Sequence, residues 1–361
     1  MQCGRCHRYY PEGYRFCPYD GTETVERVPS SSLRSRPTKF GDVVLAGRWR
    51  VRGFVGKGAM ARVYLAEDER TGGPVAIKVL EEPFRRDVTV RERFQREAQA
   101  ASLIGHPCIV QVFATGERED DGAPYIVMEY LVGESWGDYL RRERTMPRQL
   151  ALEALEQAAS ALAAAHRAGI IHRDVKPDNI IVAADGRARL VDFGLSKMPS
   201  SSLTAAGMIL GTPATMAPEQ ALGEEVDART DVYALGMVAY RALSGRSAFD
   251  DDSDEIATLA HHGWTSPVPL AKVAPDVDEA LDHVVMKAIR KRPEERFQTM
   301  DAFAEALGRL ARPDARMSGP LPPEEPYPPS SLVGTLVKAS LGRAIGRDEE
   351  DPKDESGSES D

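Results

Sequence analysis

The sequence predicts an α+β chain in which strands come first and helices follow. Over residues 49–79, apolar and polar residues alternate in short runs broken by glycine turns, the period of half-buried strands. Over residues 90–103, and again over 148–166, apolar residues recur at helical spacing. Between the second helix and a strand-like run, Ile180-Ile181-Val182, lies a polar stretch dense in charge, residues 172–179.

The length of 361 residues suggests two or three domains, and 42% apolar residues suffices for a buried core. The formal net charge of −10 argues against a protein that coats nucleic acid. Part of that charge is local. From Arg347 onward eight acids face only Arg347 and Lys353, so residues 347–361 read as an acidic, disordered tail. No run approaches the ~20 apolar residues of a membrane span, and no signal-peptide pattern precedes Cys3. A cytoplasmic protein without a membrane span is expected. Three of the four cysteines lie within the first seventeen residues, which excludes a disulfide framework across the chain and leaves thiols for metal.

In chain order, residues 1–24 hold Cys3-Gly-Arg-Cys6 and, ten residues later, Cys17-Pro-Tyr-Asp20-Gly21. The two knuckles are spaced as in a small zinc ribbon, and they resemble ribbons of the FCPxDG type, in which Asp replaces the fourth cysteine. That resemblance implies Cys3, Cys6, Cys17 and Asp20 as Zn²⁺ ligands. His7 is the rival fourth ligand, but it directly follows Cys6 and would have to fold back. So short a segment buries no core, so it should be ordered only with metal. Arg5, Arg8 and Arg15 make a thin basic patch, so a docking partner for the ribbon is expected rather than nucleic acid. Residues 25–41 read as a linker, and 42–312 as the main domain. A Pro-rich linker over 313–331 and a short amphipathic segment over 332–346 precede the tail.

The main domain opens on a glycine-rich hairpin, Val55-Gly56-Lys57-Gly58, between two strand-like runs. Such a hairpin lets backbone N–H groups approach phosphates without side chains in the way. Val75-Ala76-Ile77-Lys78 forms the next strand, and Glu97 lies on the helix after it. Later, His172-Arg173-Asp174-Val175-Lys176-Pro177-Asp178-Asn179 sets an acid, a base, a cation and an amide together. Asp192-Phe193-Gly194 returns beside it after a Gly186 turn. Phosphoryl transfer needs this inventory, because positioning and charge do most of the work.

At these residues the chain resembles the eukaryotic-type (Hanks-type) protein kinases, over roughly residues 45–311. The resemblance implies a bilobal α+β fold, with a small antiparallel sheet and one helix over a helical lobe, and ATP in the cleft. It implies that Asp174 accepts the substrate hydroxyl's proton, that Lys176 faces the γ-phosphate, and that Asn179 and Asp192 hold Mg²⁺ or Mn²⁺. Lys78 would hold the α- and β-phosphates and pair with Glu97. Val55, Gly56, Lys57, Gly58, Val63, Ala76, Met128, Glu129, Leu131 and Ile181 would surround the nucleotide, with Met128 as gatekeeper and the backbone of Glu129 and Leu131 on the adenine. Lys176 two residues after Asp174 is the serine/threonine pattern, so protein substrates with Ser or Thr acceptors are implied. His106-Pro107 and Pro218-Glu219-Gln220 look bacterial.

By the same resemblance, Glu219 pairs with Arg296 and Asp231 holds the catalytic loop's backbone. Arg173 marks a kinase switched by phosphorylation of its activation segment. Thr204 is the favoured phosphorylation site, and Thr212 is the substrate-loop threonine bonded to Asp174 and Lys176. Ala61 stands where the family has its third glycine and is expected to stiffen the loop and raise the KM for ATP. It alone favours a pseudokinase scaffold, against intact Lys78, Asp174, Asn179 and Asp192. A third reading makes the ribbon a docking or redox module with the kinase as its output.

Overall fold

A computed structural model describes residues 2–3, 24–25, 43–58, 60–183, 186–192, 213–249 and 265–312. Two short strands, β1 (Gln2–Cys3) and β2 (Thr24–Val25), pair antiparallel, with Cys3 opposite Thr24. Cys6, Cys17 and Asp20 lie outside the described residues, as do the tail and both segments that precede it.

Six strands form the first lobe: β3 (Val44–Leu45), β4 (Trp49–Lys57), β5 (Ala61–Asp68), β6 (Pro74–Leu80), β7 (Val112–Glu117) and β8 (Pro124–Glu129). All pairs are antiparallel, in the order β3-β4-β5-β6-β8-β7. The alternation read from the sequence becomes two apolar faces, because successive side chains leave a strand on opposite sides. Trp49, Val51, Tyr64, Ile77 and Val127 pack together on one face. On the other, Ala61, Leu80 and Ile126 meet Phe94 and Ala98 of α1 (Val88–Leu103). Asp87 caps that helix, accepting from the N–H groups of Thr89 and Val90 at 2.8 and 3.2 Å.

The apolar run after His106 is not all strand. The strand begins only at Val112, while Ile109 makes an isolated parallel bridge to Leu190. Leu190 N–H donates to Cys108 O at 2.8 Å, and Val110 N–H donates to Leu190 O at 2.9 Å. Ile104, Cys108 and Ile109 therefore bury themselves in the second lobe's core rather than under the first sheet. A short apolar run does not say which core will receive it.

The second lobe is helical. Ser135 ends β9 (Gly133–Ser135) and caps α2 (Trp136–Glu143), accepting from Asp138 N–H. Helix α3 (Arg148–Arg167) buries Ala151, Leu155, Ala158, Leu162 and Ala165, the stripe its spacing predicts. Gly169, at φ +76°, turns the chain out of it. Strands β10 (Ile180–Ala183) and β11 (Ala188–Leu190) then form a hairpin, with β9 on the far side of β10. Among the described residues, helices α4 (Pro218–Leu222), α5 (Ala228–Ser244), α6 (Leu270–Val273), α7 (Glu279–Ala288) and α8 (Met300–Ala311) follow in this lobe. Helix α5 is buried almost all round, as a helix at the centre of a bundle must be.

Candidate active site

The polar stretch after α3 is held open by one carboxylate. Asp231 on α5 is fully buried and accepts from His172 N–H and Arg173 N–H, each at 2.8 Å. His166 Nε2 lies 2.7 Å from the same carboxylate. Backbone donors at a tight loop would otherwise be buried without partners. Arg173 takes φ +63°, a left-handed conformation unusual for a bulky residue, and its carbonyl accepts from Gln220 of α4 at 3.0 Å. Beside it His172 is wholly buried, and burial pushes its imidazole pKa down. Its Nδ1 accepts from Asp174 N–H at 3.3 Å.

This frame presents Asp174 with its carboxylate already constrained. Lys176 Nζ sits 2.9 Å from Asp174 Oδ2. Asn179 Nδ2 donates to Asp174 O at 2.9 Å and approaches Oδ2 at 3.4 Å. Val191 N–H donates to Asn179 O, and that bond brings the end of β11 alongside. Asp192 follows at φ +58° and accepts from Lys78 Nζ at 2.8 Å. Two left-handed non-glycine residues at one site are local strain that the surrounding bonds must overcome. The side chain of Glu97, the partner expected for Lys78, is outside the described ones. Phe193, Thr204 and Thr212 likewise lie outside the described residues.

These groups line a cleft of about 620 Å³ between the lobes, within the range (roughly 300–1,000 Å³) of small-molecule sites. Val55, Gly56, Lys57, Gly58 and Val63 come from the β4–β5 hairpin, and Ala76 and Lys78 from β6. Met128, Glu129 and Leu131 close the back, while Ile181, Asn179, Asp174, Lys176 and Asp192 form the floor. A separate apolar cluster forms inside this wall: Ala76, Val110 and Met128, with Val63, Tyr130, Leu131 and Val191 against them. It offers a flat aromatic group an apolar slot, and the acids and cations lie at its other end. Val110, Tyr130 and Val191 escape a reading of the sequence, since a core and a binding wall use the same residue types.

The carboxylates of Asp138 and Asp178 also line the cleft. One guanidinium, that of Arg141, joins them at 2.8 and 3.0 Å. Gly137 makes room for this: a Cβ there would fall 2.3 Å from Asp178 Oδ1. Ala61 lines the cleft too and is only 3% exposed. It sits in regular strand β5 opposite Leu80, with its methyl against Phe94 and Ala98. Nothing at that position calls for glycine.

Two buried contacts brace the floor from behind. Arg296 Nη1 and Nη2 reach the two oxygens of Glu219, each at 2.8 Å, and Thr230 Oγ1 donates to Glu219 Oε1 at 2.8 Å. The anticipated Glu219–Arg296 and Asp231 contacts are thus both present.

The donor set fits a hard divalent cation. Asn179 and Asp192 offer oxygen ligands in one cleft, Asn179 using its nitrogen for Asp174 and Asp192 meeting Lys78 through Oδ1. Among the described residues no group of three or more His, Cys, Asp or Glu side chains is placed to hold a metal. Nor is any helix of the described residues long and apolar enough to cross a membrane.

The family described as protein kinase domain matches residues 49–307. Serine/threonine-protein kinase PknB of Mycobacterium leprae is 40% identical over 286 residues, covering 78% of this chain and 45% of that protein. PknB of Mycobacterium tuberculosis is 37% identical over 313 residues, covering 85% of this chain and 49% of that protein. PknA of Mycobacterium tuberculosis is 35% identical over 308 residues, covering 84% of this chain and 70% of that protein. The chain thus spans about half the length of the PknB relatives it matches. A crystal structure of the Mycobacterium tuberculosis PknI kinase domain superimposes with a TM-score of 0.60 at 32% identity, covering 75% of this chain and 98% of that one.

Proposed function

The chain belongs to the protein kinase domain family, and from that premise we propose that it transfers the γ-phosphoryl group of ATP to serine and threonine hydroxyls of proteins. One observation carries the reading. Asp174, Lys176, Asn179, Asp192 and Lys78 converge on a single cleft whose opposite end is an apolar slot. Asp174 takes the proton of the attacking hydroxyl, and Lys176 and Asn179 keep its carboxylate and backbone in place for that transfer. Lys78 is only 9% exposed, so its charge acts on the nucleotide's phosphates with little screening by water. Asn179 and Asp192 would hold Mg²⁺, which when bound would supply neutralising charge to the nucleotide's phosphates. That its relatives PknB and PknA are serine/threonine-protein kinases supports serine and threonine as acceptors.

The reading includes a cytoplasmic, autophosphorylating enzyme of bacterial signalling. It also includes one structural Zn²⁺ held by Cys3, Cys6, Cys17 and Asp20, in a ribbon that docks a protein partner. Pairing of β1 with β2 supports the ribbon, since it returns the chain at Thr24 to Cys3.

The test of catalysis is transfer of labelled γ-phosphate, with Mg²⁺ or with Mn²⁺, to the protein itself and to a generic basic protein, followed by phosphoamino-acid analysis. Phosphoserine and phosphothreonine are expected, and neither from Asp174→Asn. ATP binding without transfer under either metal would leave a scaffold instead of an enzyme.

A further inference from the structure

Glu81, the residue immediately after β6, touches both strands of the glycine-rich hairpin. Its backbone N–H donates to Met60 O at 2.9 Å. Its carboxylate lies 2.5 Å from Arg62 Nε on β5 and 4.0 Å from Lys57 Nζ on β4. Lys57 and Arg62 are direct partners across the β4–β5 pair. Like charges facing each other across antiparallel strands repel. This pair stands at the mouth of the hairpin, one step outside the bond from Gly58 N–H to Ala61 O at 2.8 Å. Lys57, Gly58, Met60 and Ala61 line the cleft. The Glu81 side chain is 24% exposed, against 61% for Lys57, so it is the better shielded member.

We infer that Glu81 is a positioning residue for the phosphate-binding hairpin. One carboxylate offsets the Lys57–Arg62 repulsion and holds the two strands at the separation at which Gly58 N–H reaches Ala61 O. Without it two cations face each other at the lip, the hairpin opens there, and backbone donors near Gly58 lose their alignment. The sequence hides this device, because an acid after a strand and two hairpin cations are ordinary surface residues. The inference rests on reading the cleft as a nucleotide site.

The experiment is a coupling measurement on the full chain, with the dissociation constant for ATP determined by calorimetry. Four proteins are compared: wild type, Glu81→Gln, Arg62→Gln and the double variant. Glu81→Gln should weaken ATP binding about two- to fivefold, the range that cross-strand charge coupling allows. Adding Arg62→Gln should bring the constant back toward wild type, because one of the repelling cations is gone. The ratio of Glu81→Gln to wild type should also shrink as salt rises, since the repulsion is screened. A merely structural role predicts neither the rescue nor the salt effect. If wild type binds ATP while the two substitutions multiply independently, or Glu81→Gln binds like wild type, this assignment is overturned alone. Wild type that binds no ATP overturns the nucleotide reading and this assignment with it.

Discussion

Lys78 and Asp192 stand 114 residues apart in the chain and 2.8 Å apart in the fold. The bond joins the roof of the cleft to its floor, and Asp174 lines the same cleft. Lys78→Met should therefore reduce kcat/KM by about a hundredfold or more, the usual cost of one preorganised donor to developing charge. Asp174→Asn should lower kcat by at least about a hundredfold and leave ATP affinity near wild type. Steady-state kinetics with a separate binding isotherm distinguishes the two effects. Equal losses of affinity in both variants would contradict these roles.

The Glu219–Arg296 pair is almost without exposure, at 4% and 0% of the two side chains. Arg296 also donates to the carbonyls of Arg290, Lys291 and Arg229. Removing one partner strands the other charge, so Arg296→Met should destabilise the fold by roughly 3–5 kcal/mol. Arg296→Lys should fail to rescue it, because an ammonium cannot reproduce the guanidinium's fork. Denaturant titration measures both. A loss under about 1 kcal/mol for Arg296→Met would show that the pair does not hold α4 in place.

Stability should fall as the solution is acidified below neutrality. Burial depresses the pKa of His172 below its ordinary 6.5, and burial with nearby Arg167 depresses His106. The unfolded chain then binds more protons than the folded one below the unfolded value. The contribution of these two imidazoles is constant above about pH 7 and declines through about 6.5 toward the folded pKa, by up to ~1.4 kcal/mol per unit for each. Urea midpoints at about pH 7.5 and 5.5 test this. The His106 share should disappear in His106→Asn, while an unchanged midpoint in wild type would place both rings in water.

Phosphorylation of Thr204 is expected to switch the enzyme on. Arg173 adjoins Asp174, the proposed proton acceptor, and a phosphate of charge near −2 orders a loop through bidentate bonds to a guanidinium. Thr204→Ala should lower turnover of an external substrate severalfold without weakening ATP. Mass spectrometry should find the phosphate in wild type and not in Asp174→Asn prepared alone. Full activity in Thr204→Ala, with Ser200, Ser201 and Ser202 also replaced, would make the enzyme constitutively active.

One zinc per chain is expected, and it should be lost in Cys3→Ser or Cys17→Ser. Asp20→Ala should weaken the metal more than His7→Ala. Elemental analysis of protein purified without chelator decides this. Zinc retained after deletion of residues 1–24 would place it elsewhere.

Much of the site is legible before folding because its chemistry is local in sequence. Asp174, Lys176 and Asn179 fall within six residues, and Lys78 is recognisable by the glycine hairpin that precedes it. Strands, helix α1 and the alanine stripe of α3 follow from periodicity, while the Asp87 cap appears only in the fold. Other parts depend on pairing that no local pattern encodes. Arg141 meets Asp178 because Gly137 lets α2 approach the loop after α3, and Glu81 meets Lys57 because β6 lies beside the hairpin. Exposed Asp, Glu and Arg residues all look alike until the register is known. Ala61 shows the converse: a departure from a familiar motif turns out to be an ordinary buried strand residue.

The bridge between Ile109 and Leu190 has a consequence for the chain as it leaves the ribosome. Ile104, Cys108 and Ile109 are translated with the first lobe, yet their packing partners come much later. At roughly 5–20 residues per second, the wait for Leu190 is on the order of several seconds. Over that interval these side chains are apolar surface on a nascent polypeptide whose sheet can otherwise pair. The first strands are therefore complete while this stretch still waits for the second lobe, and it is the stretch a ribosome-associated chaperone would be expected to cover.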